Sequence, residues 1–220
     1  MELNNKIINF IGDSITHGGA DGRNENCFVN KIAHLTGAIC HNYGVAGTRI
    51  APQHHPSDLP RKDRDFISRI DEMDPNADIV IAFGGTNDFG HGDAPFGTDA
   101  DETADTFCGA LKVFYKNLQS RYPNALILVL TPPHRLGEDN VLGEGQKKVP
   151  SLPLKDYVEQ IRKTATMFGF PILDLYNEPA LDPHDDAVHQ NYMPDGLHPN
   201  AAGHEIITNR IIAFLQEYQA

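Results

Sequence analysis

Residues 6–16 read Lys-Ile-Ile-Asn-Phe-Ile-Gly-Asp-Ser-Ile-Thr, an apolar run that ends in a glycine and a polar turn. The run from Ile7 to Ile11 is typical of a buried strand, and the glycines at positions 12, 18 and 19 supply turn chemistry around Ser14. The pattern therefore predicts a serine hydroxyl at the carboxyl end of the first strand. Open α/β sheets bind ligands in the crevice beyond those strand ends, so Ser14 is well positioned for a chemical role.

Short apolar runs recur along the chain and alternate with amphipathic segments. The predicted strands are Lys6 to Ile11, Ala38 to Asn42, Ile79 to Phe83, Ala125 to Leu130 and Pro171 to Asp174. The predicted helices are Cys27 to Leu35, Asp63 to Met73, Thr103 to Arg121, Leu154 to Phe168 and Ala201 to Tyr218. This alternation favours right-handed crossovers and a parallel sheet. We predict an α/β protein with a three-layer α/β/α fold and about five parallel strands.

Length and composition favour a single domain over residues 1–220. The 220 residues are 40% hydrophobic, and no linker, repeat or low-complexity tract indicates a boundary. The formal net charge of -12 repels phosphate backbones and anionic membrane surfaces. We therefore expect no nucleic-acid partner and no membrane association. A homo-oligomer is compatible with the sequence but is not indicated by it.

Cysteine usage and terminal sequence predict a cytoplasmic protein. The three cysteines, Cys27, Cys40 and Cys108, are odd in number and lie in apolar surroundings. They are expected to be reduced packing residues rather than parts of a disulfide framework. No segment has the apolar length of a signal peptide or a membrane span.

A second short motif, Asp-Gly-Leu-His-Pro at residues 195–199, lies near the other end of the chain. A serine hydroxyl is a weak nucleophile unless a base takes its proton and a third group orients that base. His198 supplies a base, and Asp195 supplies an orienting carboxylate three residues earlier. Ser14, His198 and Asp195 are therefore the candidate catalytic residues of a serine hydrolase.

Glycine-rich segments follow the second and third predicted strands, at Tyr43 to Gly47 and Gly84 to Asp88. These positions suit an oxyanion hole, because ester hydrolysis passes through a tetrahedral intermediate whose negative oxygen is stabilised by preorganised donors. The predicted donors are the backbone N–H groups of Ser14 and Gly44 and the side-chain amide of Asn87.

Four sequence blocks span nearly the whole chain: Gly12-Asp13-Ser14-Ile15-Thr16, Asn42-Tyr43-Gly44, Gly85-Thr86-Asn87-Asp88 and Asp195-Gly196-Leu197-His198-Pro199. As a set they resemble the SGNH hydrolase superfamily, also called the GDSL esterase and lipase family. The resemblance implies a flavodoxin-like sheet and hydrolysis of carboxylic esters without a metal or other cofactor. It also implies the triad and oxyanion roles given above. Ile15-Thr16 replaces the Leu of the family's name, which weakens assignment to the lipase branch.

Further residues beside these blocks are candidate substrate-binding residues. Asp13 either tunes the site or holds the turn through backbone hydrogen bonds, and the second role is favoured. His17 and His91 each follow a block and are expected to line the cleft. Tyr192 and Met193 precede Asp195, where they either border the acyl pocket or pack the loop under the last helix.

A group of polar residues near the carboxyl terminus resembles a metal cluster. It comprises His184, Asp185, Asp186 and His189. Its spacing fits no common ligand motif, so a solvated loop is the favoured interpretation and no metal site is predicted.

The sequence points to a small, hydrophilic substrate. The chain has no tryptophan, and the segments Phe89 to Asp101 and His134 to Pro150 are mostly polar and glycine-rich. We expect removal of a short acyl group, acetyl, from a carbohydrate-like alcohol. A lysophospholipid or thioester substrate, and acyl transfer by the same triad, are the enzymatic alternatives. The alternative of another class is a non-catalytic flavodoxin-like binding module, although few loop aromatics are present to sandwich a flavin.

Overall fold

The computed structural model describes residues 1–19 and 25–218. One sheet is formed by five parallel strands, β1 Ile7–Gly12, β2 Ile39–Gly44, β3 Ile79–Phe83, β4 Leu126–Leu130 and β5 Ile172–Leu173. Their order is β2-β1-β3-β4-β5, the flavodoxin-like order. Gly12 of β1 lies opposite Gly44 of β2 on one side and Phe83 of β3 on the other. The carboxyl ends of these three strands therefore finish at one level.

Eight α-helices lie among the described residues. They are α1 Ser14–His17, α2 Phe28–Thr36, α3 Phe66–Arg69, α4 Thr86–Gly90, α5 Phe107–Arg121, α6 Leu154–Met167, α7 Asp186–Asn191 and α8 Ala201–Glu217. Short 3-10 turns occupy Pro60–Asp63, Ile70–Glu72 and Pro179–Leu181.

Apolar cores cover both faces of the sheet. Successive residues of a strand point to opposite faces, so the fully buried neighbours Phe10 and Ile11 enter different cores. The core on the Ile11 side includes Phe114 of α5, and the core on the Phe10 side includes Phe28 of α2. The predicted three-layer α/β/α fold with a parallel sheet is confirmed.

The segment from Asp63 to Met73 is not the continuous helix that its spacing predicts. It forms the four-residue helix α3 and then the 3-10 turn Ile70–Glu72. Arg69 at the end of α3 is buried, and its guanidinium donates to backbone carbonyls of β1 and β2. These long-range bonds position the segment, and hydrophobic periodicity does not report them.

Two other boundaries differ from the prediction. The helix predicted from Thr103 begins at Phe107, because the Thr106 side chain accepts from the N–H of Gly109 and caps the helix there. The segment predicted as a solvated loop contains α7, where the Asp185 side chain caps the N–H groups of the first turn. Residues 20–24 and 219–220 lie outside the described parts of the chain.

The three cysteines carry thiols that form no disulfide bond among the described residues. Cys27 and Cys108 are buried and Cys40 is half-buried. In the described ranges, every helix is too short or too polar to cross a membrane.

Candidate active site

Ser14 is the first residue of α1 and directly follows the turn that ends β1. The Asp13 side chain caps this helix by accepting the N–H of Ile15 at 3.0 Å. Gly12 is needed at the strand end because a Cβ there would lie 2.8 Å from the carbonyl oxygen of Phe83 on β3. The tight packing of β1 and β3 therefore fixes the position of the half-buried serine.

The structure brings Ser14, His198 and Asp195 together from opposite ends of the chain. Ser14 Oγ lies 2.9 Å from His198 Nε2, and His198 Nδ1 lies 2.7 Å from Asp195 Oδ2. Both the Ser14–His198 contact and the His198–Asp195 contact are therefore within hydrogen-bond distance. The arrangement allows the imidazole to take the hydroxyl proton while the carboxylate holds the opposite ring nitrogen.

The Asp195 carboxylate is also built into the loop that carries the histidine. Its Oδ1 accepts the backbone N–H groups of Leu197 at 2.9 Å and His198 at 2.6 Å. Burial opposes the charge on Asp195, but the hydrogen bonds from His198 and Leu197 outweigh this effect and hold the pKa of Asp195 below its ordinary value. The carboxylate is therefore charged in the pH range where an imidazole base works.

Asn87 lies in the first turn of α4, beyond the carboxyl end of β3, and is buried. Its Nδ2 donates to the carbonyl oxygen of Thr48 at 2.9 Å, which uses one of the two amide hydrogens. The next residue, Asp88, accepts the N–H groups of Ile50 at 3.0 Å and Ala51 at 2.9 Å. These bonds tie α4 to the loop that follows β2.

Gly44 does not present its N–H group as the sequence predicts. That N–H donates to Asn42 Oδ1 at 2.9 Å, because the asparagine side chain folds back over its own strand end. A Cβ at Gly44 would lie 2.3 Å from the backbone nitrogen of His17, so the glycine permits close packing of β2 against α1. This geometry gives Gly44 a packing role and does not support the predicted oxyanion role.

Gly47 is a candidate donor that the sequence interpretation passed over. Its φ of 79° lies in the left-handed region that favours glycine. Its N–H makes no hydrogen bond to any described residue, and it directly precedes Thr48, whose carbonyl holds Asn87. The signal was present in the sequence, since Gly47 is the second glycine of the segment that begins at Tyr43.

Arg69 lies beneath this loop and was also missed. Its Nη2 donates to the Gly12 carbonyl oxygen and to Thr48 Oγ1, each at 3.1 Å, and its Nη1 donates to the Tyr43 carbonyl oxygen. Burial lowers the pKa of Arg69 to about 10, so the guanidinium is still charged at neutral pH. One buried cation thereby links the ends of β1 and β2 to the turn at Thr48.

The histidines that follow the sequence blocks have different surroundings. His17 ends α1 and is half-buried, and its buried Nδ1 has no hydrogen-bond partner within residues 1–19 and 25–218. Burial lowers the pKa of His91 to about 4, so the ring is neutral at pH 7. Its Nδ1 lies 2.8 Å from Arg49 Nη1 and can accept a hydrogen bond from that guanidinium. His91 is therefore held by Arg49, and its predicted place in the cleft stays a prediction.

The remaining cleft candidates serve mainly the local structure. Asp13 is buried and caps α1, and burial raises its pKa to about 6. Met193 is fully buried in the same core as Ile15 and Phe28, and Tyr192 packs against that core. These positions favour the turn role for Asp13 and the loop-packing role for Met193 over an acyl-pocket role.

The polar residues near the carboxyl terminus, from His184 to His189, do not form one cluster in the structure. Asp185 caps α7, whereas His184 lies in a cluster with His134 and Glu138, in which one potential ligand atom of each lies within 4.8 Å of the others. The partners of His184 come from the segment after β4, so no local spacing in the sequence could reveal this cluster.

A family model described as the GDSL-like Lipase/Acylhydrolase family matches residues 10–206. The chain belongs to this family. This GDSL-like acylhydrolase is therefore a serine ester hydrolase, and the resemblance found in its sequence blocks is confirmed. No curated protein matches it significantly.

Solved structures share the fold of this GDSL-like acylhydrolase along its whole length. A protein from Lactobacillus plantarum is 26% identical, with a TM-score of 0.82 over 99% of this chain and 100% of that chain. A possible lipase from Chitinophaga pinensis is 20% identical, with a TM-score of 0.67 over 96% and 98% of the two chains. An acetyl xylan esterase is also 20% identical, with a TM-score of 0.62 over 94% and 98%. At 20% identity the last two show a common fold alone.

Proposed function

We propose that this ester hydrolase uses Ser14 to remove a short acyl group, acetyl, from a hydrophilic, carbohydrate-like alcohol. The observation that carries the reaction is the continuous hydrogen-bond chain from Ser14 Oγ through the His198 ring to the Asp195 carboxylate, at 2.9 Å and 2.7 Å. Such a chain activates a hydroxyl that is otherwise a weak nucleophile.

The proposed reaction proceeds in two halves through an acyl-enzyme. His198 Nε2 takes the proton of Ser14 Oγ as the oxygen attacks the ester carbonyl, and Asp195 stabilises the imidazolium that forms. The imidazolium then protonates the leaving alkoxide. Water repeats the sequence on the acyl-serine, so the net reaction releases the acid and restores the enzyme.

The proposed oxyanion hole consists of the Ser14 N–H, the Gly47 N–H and the second hydrogen of the Asn87 amide. What supports Gly47 over Gly44 is that the Gly44 N–H is already bonded to Asn42. Asn87 is oriented by its bond to the Thr48 carbonyl, directly beside Gly47. Each such donor contributes a few kcal/mol to the transition state, on the order of 3.

The short acyl group is supported by the closed packing beneath the loop that carries the histidine. Met193, two residues before Asp195, is fully buried in the core and opens no apolar pocket there. The acetyl xylan esterase shares only the fold, so it does not decide the substrate. The three cysteine thiols are compatible with the predicted cytoplasmic location, which also stays a prediction.

One feature favours a longer acyl chain as the second candidate. The segment after β4 was expected to be mostly polar, yet it exposes several large apolar side chains, namely Leu136, Val141, Leu142, Val149 and Leu152. Leu136 N donates to the Gly196 carbonyl oxygen at 2.8 Å, so this apolar surface begins beside the histidine loop. A lysophospholipid or another long-chain ester is the substrate class that such a surface suits.

The nucleophile is tested with a fluorophosphonate probe and intact-mass measurement. We expect one probe adduct on the wild-type chain and none on Ser14→Ala, with the adduct retained in Ser120→Ala, which changes an exposed serine of α5. Labelling of Ser14→Ala to the wild-type extent would refute the serine mechanism.

The acyl chain is tested with p-nitrophenyl esters from acetyl to decanoyl, followed by an acetylated xylo-oligosaccharide and a lysophospholipid. We expect kcat/KM to be highest for acetyl and the sugar ester to be cleaved. A maximum at long chains, with cleavage of the lysophospholipid, would replace the acetyl proposal by the second candidate. Acylated product on an added sugar acceptor would identify the transferase alternative.

A further inference from the structure

His134, Glu138 and His184 form a side-chain cluster that the ester hydrolysis does not use. His134 and Glu138 lie after β4, and His184 lies before α7. One potential ligand atom from each lies within 4.8 Å of the others. Two imidazoles and a carboxylate are the donor set that Zn²⁺ and related divalent transition metals prefer.

Each side chain of the cluster is oriented by a further partner. His184 Nδ1 lies 2.8 Å from Asp182 Oδ1, which leaves Nε2 as the open nitrogen of that ring. A carboxylate on the far nitrogen is the usual way in which proteins orient a metal-binding histidine. His134 stacks on the Tyr176 ring, with ring centroids 3.8 Å apart.

Glu138 is largely buried, and its carboxylate can still accept a bond to a cation. Its Oε2 accepts one backbone N–H, from Arg135 at 2.9 Å, so a second lone pair of that oxygen is available. Its Oε1 accepts the Tyr176 hydroxyl at 3.1 Å and lies 2.7 Å from His134 Nδ1. The Arg135 N–H and the Tyr176 hydroxyl therefore hold the carboxylate in place without using the second lone pair of Oε2.

We propose that His134, Glu138 and His184 bind a divalent transition metal ion, and that Zn²⁺ fits the donor set best. Neighbouring ligand atoms of a tetrahedral zinc ion lie about 3.3 Å apart, so each ligand atom moves by less than about 1 Å to close the site. Three protein ligands leave a fourth position for water. Asp182 is a positioning residue that keeps His184 Nε2 unprotonated and directed at the ion.

The ion joins two chain segments that support the catalytic loop. Leu136, between the two ligands of the first segment, donates its N–H to the Gly196 carbonyl oxygen at 2.8 Å. Gly196 packs so closely on Leu136 that a Cβ would lie 2.6 Å from its side chain. Metal binding therefore stabilises the loop that carries His198 without taking part in the chemistry at Ser14.

The test is titration of untagged, chelator-treated protein with ZnCl₂ in a calorimeter. We expect one Zn²⁺ per wild-type chain and a rise in Tm with Zn²⁺ that Mg²⁺ does not produce. Asp182→Asn should lower the affinity about 10- to 100-fold, as loss of an orienting carboxylate does at metal sites. His184→Ala should lower it further. His184 is exposed, so this variant is expected to fold.

Two controls separate this site from other histidines. His189→Ala changes the other histidine of the same segment and should bind Zn²⁺ like the wild type. His198→Ala should also retain full affinity, which excludes binding at the catalytic triad. The proposal is overturned if the wild type does not bind Zn²⁺, if His184→Ala and Asp182→Asn bind it as tightly as the wild type, or if His198→Ala alone abolishes binding. If His184→Ala lacks native near-ultraviolet circular dichroism, Asp182→Asn decides the question.

Discussion

The Asp195 carboxylate contacts His198 through both of its oxygens. Oδ2 lies 2.7 Å from ring Nδ1, and Oδ1 accepts the backbone N–H of the same residue at 2.6 Å. The sequence predicts only the first contact. The second, together with the bond from Leu197 N–H, means that the carboxylate shapes the loop as well as orienting the ring.

This double contact leads to a prediction for the terminal motif. His198→Ala should lower kcat/KM on a short-chain ester by at least about a thousandfold, approaching Ser14→Ala, because in the proposed mechanism His198 performs every proton transfer. Asp195→Ala should retain more activity than His198→Ala, because the imidazole that acts as the base is still present. Equal loss in the two folded variants would contradict the predicted order, and an active His198→Ala would remove the catalytic assignment.

Asp195→Asn separates the two roles of the carboxylate. The N–H groups of Leu197 and His198 hold Oδ1, so the amide nitrogen of asparagine faces the ring and favours the wrong tautomer. We expect Asp195→Asn to have a higher Tm than Asp195→Ala but a lower kcat. The measurements are thermal unfolding and steady-state kinetics, and an Asn variant more active than the Ala variant would argue against this tautomer control.

Asn87→Ala should lower kcat by about a hundredfold or more with a smaller change in KM, because the amide binds charge that develops only in the transition state. The variant also leaves the Thr48 carbonyl without its donor, which costs on the order of 1 kcal/mol of unfolding free energy. The matched control is Asn117→Ala on the exposed surface of α5. An effect on KM alone would make Asn87 a residue of ground-state binding.

The oxyanion glycine is tested by nuclear magnetic resonance of the phosphonylated enzyme. Formation of the adduct at Ser14 places a strongly polarised phosphoryl oxygen in the hole, and the amide proton of a group that donates to this oxygen shifts downfield. We expect this shift for Ser14 and Gly47 and little change for Gly44, whose N–H stays bonded to Asn42. A large downfield shift of the Gly44 amide proton, with none at Gly47, would restore the sequence prediction.

Asp13→Asn should make protein stability less dependent on pH. Burial raises the pKa of Asp13 to about 6, so the folded state binds more protons than the unfolded state below that pH. The free energy of unfolding of the wild type therefore falls as pH rises from about 4 through 6, by on the order of 1 to 3 kcal/mol from this residue. The pKa of Asp88 is also raised to about 6, so the unfolding free energy of Asp13→Asn should still fall with rising pH, but less steeply than that of the wild type.

Urea unfolding at several pH values measures this effect, with the exposed Asp139→Asn as the control. A slope for Asp13→Asn as steep as that of the wild type would show that Asp13 is not protonated in this range.

The fold, and the residues that the structure brings together at the candidate site, could largely be predicted from the sequence. Strand and helix periods are local, so the five strands and the helices α2, α5, α6 and α8 follow from the spacing of apolar residues. Ser14, Asn87 and the His198 loop follow strands or turns with recognisable glycines. The parallel topology then brings them to one edge of the sheet.

Other features depended on contacts between distant segments. The Gly44 N–H donates to Asn42 Oδ1, whereas the Gly47 N–H has no acceptor among the residues that the structure describes. Arg69 breaks a helix-like pattern because its buried charge needs the carbonyl oxygens of Gly12 and Tyr43.

The sequence by itself determined the fold class and the family, because each rests on local patterns, and it predicted the candidate triad of Ser14, His198 and Asp195. The tertiary structure alone decided that the Gly44 N–H is bonded to Asn42, that Met193 lies in the core, and that His134 and Glu138 meet His184. A hydrogen-bond donor is available only if no neighbour uses it, and a ligand set exists only where separate loops converge. Both conditions depend on packing between segments far apart in the chain.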